Sequence, residues 1–359
     1  VADATPRFHR LRVAEVRRET ADAISVTFDV PPALRAAYVF RAGQYLTLRA
    51  AVDGAVLRRS YSICAGEDDG ELRIAIKRVQ DGAFSAWAHE TLAPGAEIDV
   101  MTPTGRFGRD APAEGVHVGI CAGSGITPVL SLMRTVLARA SDTRFVLLYG
   151  SRATSDILFR SALEDLKDRY LSRVAVLHVL SRERQDIDVL NGRLDPEKLA
   201  TLLHAALGGA PVAAAYVCGP EAMVPGAEAA LAQAGVEPAR VHVERFTSAH
   251  DGRPRAAPPP VPADAPAHAH ATVVIDGRRA DVPLAAGETV LDAALRAGLD
   301  LPFACKGGMC STCRARLVEG SVAMEVNYSL EPWELAEGFV LTCQARPTSP
   351  HLLVDYDRQ

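Results

Sequence analysis

Cys305-Lys306-Gly307-Gly308-Met309-Cys310-Ser311-Thr312-Cys313, with Cys343 further on, is the stretch that organises the whole chain. A C-x4-C-x2-C run followed by a distant fourth cysteine is the spacing of a plant-type [2Fe–2S] site, where thiolates curl around a compact anionic cluster. Gly307 and Gly308 are expected to let the backbone wrap closely, since glycine tolerates dihedrals closed to other residues. Ser311 and Thr312 are small enough to leave the backbone N–H groups free to face sulfur. Two other readings stand beside this one. A structural zinc site usually takes its cysteines from two separate knuckles, and disulfides need an oxidising compartment. A one-electron centre needs an electron source, and the remainder of the chain is the place to look for it.

The chain has 359 residues, more than a single core usually serves, so two or three domains are expected. Its 48% apolar and 23% charged content is that of a globular protein. The N-terminal residues lack a basic-then-apolar leader pattern, and no stretch approaches a membrane span. Cys64, Cys121 and Cys218 are scattered and read as reduced thiols. The expectation is a cytoplasmic protein without a membrane partner. A net charge of −5 and the lack of a basic stripe argue against nucleic acid. From Ala271 onward there are 8 Lys/Arg against 12 Asp/Glu, whereas residues 1–248 are nearly balanced at 29 against 30. The cysteine-bearing end is the acidic end. An acidic face can steer an electron-transfer partner, or it can simply be solvated surface.

Ser248 to His270 is rich in proline and alanine, the composition of a semi-rigid spacer that builds no core. Before it, two textures follow one another. Ser25–Phe28, Tyr45–Leu48 and Leu72–Ile76 are short alternating runs broken by turns, the pattern of an antiparallel β-barrel. From about Gly115, short apolar runs alternate with helical stretches: His117–Ile120, Phe145–Tyr149, Val174–Leu180 and Ala215–Cys218. That alternation predicts an α/β domain with a parallel, doubly wound sheet. After the spacer, Ala271–Ile275 and Arg278–Leu284 flank Asp276-Gly277, a favoured hairpin turn. A helix over Thr289–Ala297, closed by Gly298, comes next.

Cys121-Ala122-Gly123-Ser124-Gly125-Ile126-Thr127-Pro128 falls at a strand-to-helix turn. Glycines there permit close approach of a pyrophosphate to the helix N-terminus, where free N–H groups and the dipole favour anions. Pro128 stands where a dinucleotide fingerprint has its third glycine, and it suits the first turn of a helix. Tyr216-Val217-Cys218-Gly219-Pro220 ends a strand at the carboxyl edge of the sheet, where α/β folds bind ligands. Cys218 by itself reads first as a buried structural thiol. In the barrel, Arg58-Arg59-Ser60-Tyr61-Ser62 sets Arg59 and Tyr61 on one side of a strand and Ser60 and Ser62 on the other. Gly82-Ala83-Phe84-Ser85 precedes a short helix, a second potential anion site.

Arg59-x-Tyr61-Ser62, Gly82-x-x-Ser85, Gly123-x-Gly125-x-x-Pro128, Cys218-Gly219-Pro220 and a closing Glu244-Arg245-Phe246 stand in an order and spacing that resembles the ferredoxin–NADP reductase superfamily. With the C-terminal cysteine module the whole chain is similar to a three-domain oxygenase reductase. The resemblance implies a flavin-binding antiparallel β-barrel over 1–110 and a pyridine-nucleotide α/β domain over 111–248. A linker over 249–270 and an α+β, β-grasp [2Fe–2S] domain over 271–359 would complete the chain. It implies FAD, less readily FMN, held by Arg59 at a phosphate, Tyr61 against the isoalloxazine, Ser62 near its reactive nitrogen, and Gly82, Phe84 and Ser85 at the pyrophosphate. Gly123, Gly125, Thr127, Pro128, Gly219 and Pro220 would face the pyridine nucleotide, with Cys218 near the nicotinamide and Glu244 and Phe246 closing the site. Cys305 with Cys310, and Cys313 with Cys343, would each hold one iron.

Gly150-Ser151-Arg152 follows the second α/β strand, where the resemblance places the adenosine ribose. A carboxylate there selects NADH, whereas an arginine beside a hydroxyl suits a 2′-phosphate. NADPH, read by Ser151 and Arg152, is therefore the expected donor; a solvated loop arginine is the other reading. The function implied is an oxidoreductase that splits a hydride into single electrons. Its implied partner is a multisubunit di-iron oxygenase acting on an aromatic CoA thioester in aromatic catabolism. A Rieske dioxygenase or hybrid-cluster acceptor, or a redox-sensing, electron-storing role, are the alternatives.

Overall fold

The computed structural model describes residues 6–109, 112–246 and 267–358. The expected proline-rich linker falls mostly outside the described residues, although its last residues belong to a strand that begins at Ala269. Three main sheets follow one another along the chain, with a two-stranded ribbon beside the third.

The first comprises β1 (Phe8–Thr20), β2 (Ala23–Asp29), β3 (Tyr45–Val52), β4 (Ala55–Ser62), β5 (Leu72–Lys77) and β6 (Glu97–Met101), with α1 (Ala83–Thr91) after β5. Its antiparallel order is β4-β3-β6-β1-β2-β5. A bridge between Ile63 and Ile74 then joins the end of β4 to β5. That bridge curls the sheet toward a barrel and protects edges that would otherwise present unpaired N–H and C=O groups. The period-2 alternation decides which side chains fill it. Leu46 and Leu48 enter the barrel core with Val26, Ile63, Ile74 and Ile76, so Tyr45 and Thr47 project from the opposite face of β3.

The second sheet is parallel throughout: β7 (Val116–Ala122), β8 (Arg144–Ser151), β9 (Val174–Leu180), β10 (Val212–Gly219) and β11 (Val241–Arg245). The helices α2 (Ile126–Arg139), α3 (Arg160–Tyr170), α4 (Pro196–Leu207) and α5 (Val224–Gln233) connect the strands. The near-continuous apolar strands are explained by burial on both faces. Cys121, Leu147 and Tyr216 pack with α2 and α3 residues on one side. Ile120, Leu148 and Val217 pack with α4 and α5 residues on the other. In α2 the buried Ile126, Val129, Leu130, Met133, Val136 and Leu137 recur at helical spacing. The helix α4 starts where Asp195 accepts the Lys198 N–H at 2.8 Å and Pro196 occupies the first turn. The order β11-β10-β7-β8-β9 reverses direction between β7 and β10. A crevice opens outside the carboxyl ends of the strands at such a switch point.

The third sheet mixes directions in the order β13-β12-β18-β14-β16. It is built from β12 (Ala269–Ile275), β13 (Arg278–Leu284), β14 (Arg314–Glu319), β16 (Phe339–Leu341) and β18 (His351–Asp355). Beside it lie α6 (Val290–Arg296), α7 (Pro332–Ala336) and the small pair β15 (Val322–Met324) with β17 (Ala345–Pro347). Asp276 and Gly277 take positive φ of 52° and 71° in the β12–β13 turn, as an Asp-Gly hairpin requires. The carboxylate of Asp357 accepts both of their N–H groups at 2.7 Å. In this sheet β12 and β18 run parallel, while the other pairs are antiparallel.

Candidate functional site

One cavity of about 3570 Å³ runs between the three sheets. From the barrel it is lined by Arg59, Tyr61, Ser62, Gly82, Phe84 and Ser85. Gly123, Thr127, Ser151, Arg152, Gly219, Pro220, Glu244 and Phe246 come from the carboxyl edge of the parallel sheet, and Cys305 and Cys310 from the third module. Residues scattered over most of the chain therefore share one wall.

On the barrel side, Arg59 is exposed and its guanidinium donates to the Arg58 carbonyl at 2.8 Å. The Tyr61 ring sits 6.0 Å from Phe84, between centroids. Gly82 caps α1 without a side-chain hydrogen bond, which leaves the first amides of the helix available to an anion. Ser85 lines the cavity from the first turn of α1. Its hydroxyl donates to the Gly82 carbonyl at 3.0 Å and accepts the Val79 N–H at 3.1 Å, so it shapes the turn and leaves anion contact to the backbone.

Ser62 donates to Glu244 across the two modules at 3.1 Å. Burial pushes the Glu244 carboxyl up to about 7, against the opposing pull of that hydrogen bond. A carboxyl that holds its proton near neutrality, next to a hydroxyl on the cavity wall, can give or take a proton there.

At the switch point the two glycines divide the work. Gly123 has φ +56° and open space around it: a Cβ added there would have the Lys77 Nζ, at 4.0 Å, as its nearest neighbour. Gly125 is walled in: a Cβ there would stand 2.0 Å from the Cys218 carbonyl oxygen. Of the three residues Gly123, Gly125 and Pro128, Gly123 lines the cavity, whereas Pro128 is buried and Gly125 packs against β10. The Thr127 hydroxyl donates to the Ser124 carbonyl at 2.9 Å and stabilises the turn. Cys218 is the residue that the resemblance places near the nicotinamide. Its side chain is fully buried in the α2-side core, and burial drives its thiol well above the usual range. Gly219 and Pro220, the next two residues, reach the cavity wall.

Arg152 does not present a bare cation. It donates to Asp22 at 2.7 Å and to Asp156 at 2.8 Å. Burial opposes ionisation of Asp22, yet its bonds to Thr20, Lys77 and Arg152 hold the carboxyl below its ordinary value. Two carboxylates thus offset the charge expected to read a 2′-phosphate. The Ser151 hydroxyl oxygen is buried without a hydrogen-bond partner.

The cysteine loop wraps as the spacing requires, through one of the two expected glycines and two non-glycine residues. Lys306, Gly308 and Ser311 take positive φ of 52°, 76° and 48°, whereas Gly307 does not. The Gly307 N–H donates to Cys305 Sγ at 3.3 Å, the Gln344 amide to Cys343 Sγ at 3.3 Å, and the Thr312 hydroxyl to Cys310 Sγ at 3.2 Å. Cys305 pairs with Cys310, and Cys313 with Cys343. A hydrogen bond from Cys310 first, then backbone amides, lowers the Cys305 thiol to about 6 despite burial. Among the described residues no three His, Cys, Asp or Glu side chains converge as a single ion needs. Two sulfur pairs ringed by donors fit a two-iron anionic cluster, in which each pair serves one metal.

Contacts absent from the sequence reading join the cysteine module to the barrel. Arg58 donates to Asp300 at 3.1 Å and to the Leu301 carbonyl at 3.2 Å, with its guanidinium 4.0 Å above the Phe303 ring. Arg7 pairs with Asp276 at 2.8 Å, and Arg106 lies 5.0 Å over Trp333. Tyr45 reaches Cys310 and Thr312 from β3. Part of the acidic surface of the C-terminal module is therefore matched by arginines of its own chain. The doublet Arg58-Arg59 hinted at this, since neighbouring strand residues must face different partners. Nothing local marked Tyr45.

Comparison with known proteins agrees with this division of labour. Residues 10–108 match the oxidoreductase FAD-binding domain, 120–229 the oxidoreductase NAD-binding domain, and 273–348 the 2Fe-2S iron-sulfur cluster binding domain. The chain is 45% identical over 353 residues to one of the subunits of the 1,2-phenylacetyl-CoA epoxidase of Escherichia coli, covering 98% of each chain. It is 33% identical to the ferredoxin reductase component of 3-ketosteroid-9-alpha-monooxygenase of Rhodococcus rhodochrous, covering 96% of each. Phthalate dioxygenase reductase shares the fold, with a TM-score of 0.57 at 23% identity over 97% of this chain and 98% of that one. FAD, NAD(P)H and a [2Fe–2S] cluster are accordingly its cofactors, and an oxygenase is its partner. No helix among the described residues is long and apolar enough to cross a membrane. With its barrel, parallel sheet and cysteine module arranged around one cavity, the chain belongs to the three-domain oxygenase reductases of the ferredoxin–NADP reductase superfamily.

Proposed function

We propose that this reductase supplies a multisubunit di-iron oxygenase that epoxidises phenylacetyl-CoA, an aromatic CoA thioester. The 45% identity across 98% of both chains to the Escherichia coli epoxidase component supports that acceptor. The observation that carries the route is the single cavity bordered by Arg59 and Tyr61, by Gly123 and Gly219, and by Cys305 and Cys310. When bound, the flavin and the cluster supply the conversion of a two-electron donor into one-electron steps; the chain supplies position and charge. Arg59 and the α1 N-terminus after Gly82 hold the flavin phosphates, and Tyr61 with Phe84 packs its ring. Ser62 and Glu244 form the proton-bearing pair beside it. Gly123 and the N-terminal turn of α2, with Gly219, Pro220 and Phe246, receive the pyridine nucleotide. Cys305, Cys310, Cys313 and Cys343 ligate the cluster. The cytoplasm is the proposed compartment, since NAD(P)H is supplied there.

The test is reconstitution with the oxygenase that co-purifies from the native cell. NAD(P)H-dependent conversion of phenylacetyl-CoA is expected only when the reductase is present. A competent oxygenase that turns over a different substrate with this reductase, and not phenylacetyl-CoA, would overturn the acceptor while leaving the reductase assignment intact.

We further infer a weaker NADPH preference than Ser151 and Arg152 alone suggest, because Asp22 and Asp156 both bind Arg152. Like charges repel, so these carboxylates oppose a 2′-phosphate and leave the two coenzymes within about tenfold in kcat/KM. Asp22→Asn should free part of that cation and raise the NADPH/NADH ratio of kcat/KM by about threefold or more. An unchanged ratio would show that Arg152 takes no part in reading the ribose.

A further inference from the structure

Tyr45 belongs to the barrel and touches the cysteine loop. It pairs with Ser62 in the β3–β4 register, on the face of β3 turned away from the barrel core. Such a position would ordinarily be solvated, yet Tyr45 is only 5% exposed. Gly105 makes room for it: a Cβ at that residue, which has φ +110°, would stand 2.9 Å from the Tyr45 ring carbons. The phenol donates to the Cys310 carbonyl oxygen and lies 2.9 Å from Thr312 Oγ1. Thr312 is itself buried, and its hydroxyl donates to Cys310 Sγ at 3.2 Å.

The proton count gives this chain of contacts a direction. A phenol and a threonine hydroxyl each carry one proton. The Tyr45 proton goes to the Cys310 carbonyl and the Thr312 proton to Cys310 Sγ at 3.2 Å, with the two hydroxyl oxygens 2.9 Å apart. Hydrogen bonds to cluster sulfurs favour the more negative, reduced state and so raise the potential.

We propose that Tyr45 is a positioning residue from the flavin-binding barrel that aims the Thr312 hydroxyl at Cys310 Sγ and thereby sets the reduction potential of the seated cluster. The proposal rests on the reading of Cys310 as a cluster ligand. One contact then both seats the module and adjusts how readily it takes each electron that the established activity delivers from NAD(P)H.

The experiment is a potentiometric titration of the intact, cluster-loaded chain, followed by the electron paramagnetic resonance signal of the reduced cluster. Tyr45→Phe keeps the ring and removes the hydroxyl. It is expected to lower the reduced-to-oxidised ratio at a fixed solution potential by roughly fivefold, the worth of one typical hydrogen bond. Thr312→Val should give a similar shift, Thr312→Ser none, and Tyr45→Phe in the Thr312→Val background no further shift, because the two hydroxyls act as one unit. An unmoved potential in Tyr45→Phe, or an additive double variant, overturns the proposal. Were Tyr45→Phe not to fold, Thr312→Val carries the decision: a wild-type potential there overturns the proposal as well. Iron content and the visible spectrum keep the two levels apart. A parent chain without a four-cysteine cluster refutes the ligand reading, whereas a full cluster with unchanged potentials refutes only the role of Tyr45.

Discussion

Cys310→Ser is expected to lower NAD(P)H-driven cytochrome c reduction by roughly a hundredfold, while flavin-level reduction of ferricyanide stays within about twofold of the parent. Cys310 pairs with Cys305, receives the Thr312 hydroxyl and has its carbonyl bound by Tyr45, so replacing its sulfur damages one iron position and the cavity-facing side of the loop together. Its module packs around Ala271, Leu291, Leu341 and Val354, separately from the barrel core of Leu46, Leu48 and Ile74. The flavin-binding fold therefore has no reason to fail with the cluster. Stopped-flow reduction at flavin wavelengths, iron content and cytochrome c turnover measured on one preparation separate these effects. Retained cytochrome c turnover in a chain that has lost its iron would mean that electrons leave directly from the flavin. That result would remove the cysteine module from the delivery route.

Gly125→Ala should unfold the nucleotide half or abolish its binding, whereas Gly123→Ala at the same turn should be far milder. At Gly125 the added carbon would lie 2.0 Å from the Cys218 oxygen and 2.6 Å from its carbonyl carbon. Both atoms belong to the backbone of the interior strand β10, which cannot rotate aside. Forcing β10 from α2 disturbs a core containing Ile126, Val129, Cys121 and Tyr216, and a cost of about 3 kcal/mol or more follows from overpacking of that kind. At Gly123 the new methyl would meet nothing nearer than the Lys77 Nζ at 4.0 Å, so only the left-handed backbone is penalised, by about 1 kcal/mol. Urea unfolding monitored together with NAD(P)H binding tests the pair. Equal losses in the two variants would show that both glycines serve the ligand, and that the strand contact is not what constrains Gly125.

These two variants also mark how far local pattern reaches. The parallel sheet was legible because strands buried on both faces must be apolar, and the turn after β7 because a tight strand-to-helix reversal demands glycine. The division of labour within that turn was not legible, since Gly123 and Gly125 differ only in what the distant Cys218 carbonyl does. Cys218 itself was open to two readings, and its depth in the core favours the structural one. Ser85 sits where the motif places it, yet its hydroxyl is used by its own loop. In the cysteine loop the spacing identified the sulfurs, while the sharpest backbone turns fell on Lys306, Gly308 and Ser311.

The sequence alone determined the order of the modules, the cysteine set with its spacing, and the strand and helix texture that builds each sheet. All of these rest on interactions between near neighbours or on periodic burial, and both leave a local trace. Tertiary structure alone decided which groups meet across modules: Tyr45 with Cys310 and Thr312, Arg58 with Asp300 and Phe303, Ser62 with Glu244, and Asp22 with Arg152. In each meeting except that of Ser62 with Glu244, at least one partner (Tyr45, Arg58, Asp300, Phe303 or Asp22) belongs to no motif and carries no local mark in the sequence. Their roles come from folded modules closing on one another, and where the seam is buried, as at Tyr45, Thr312 and Ser62, a single hydrogen bond counts for more than it does in water.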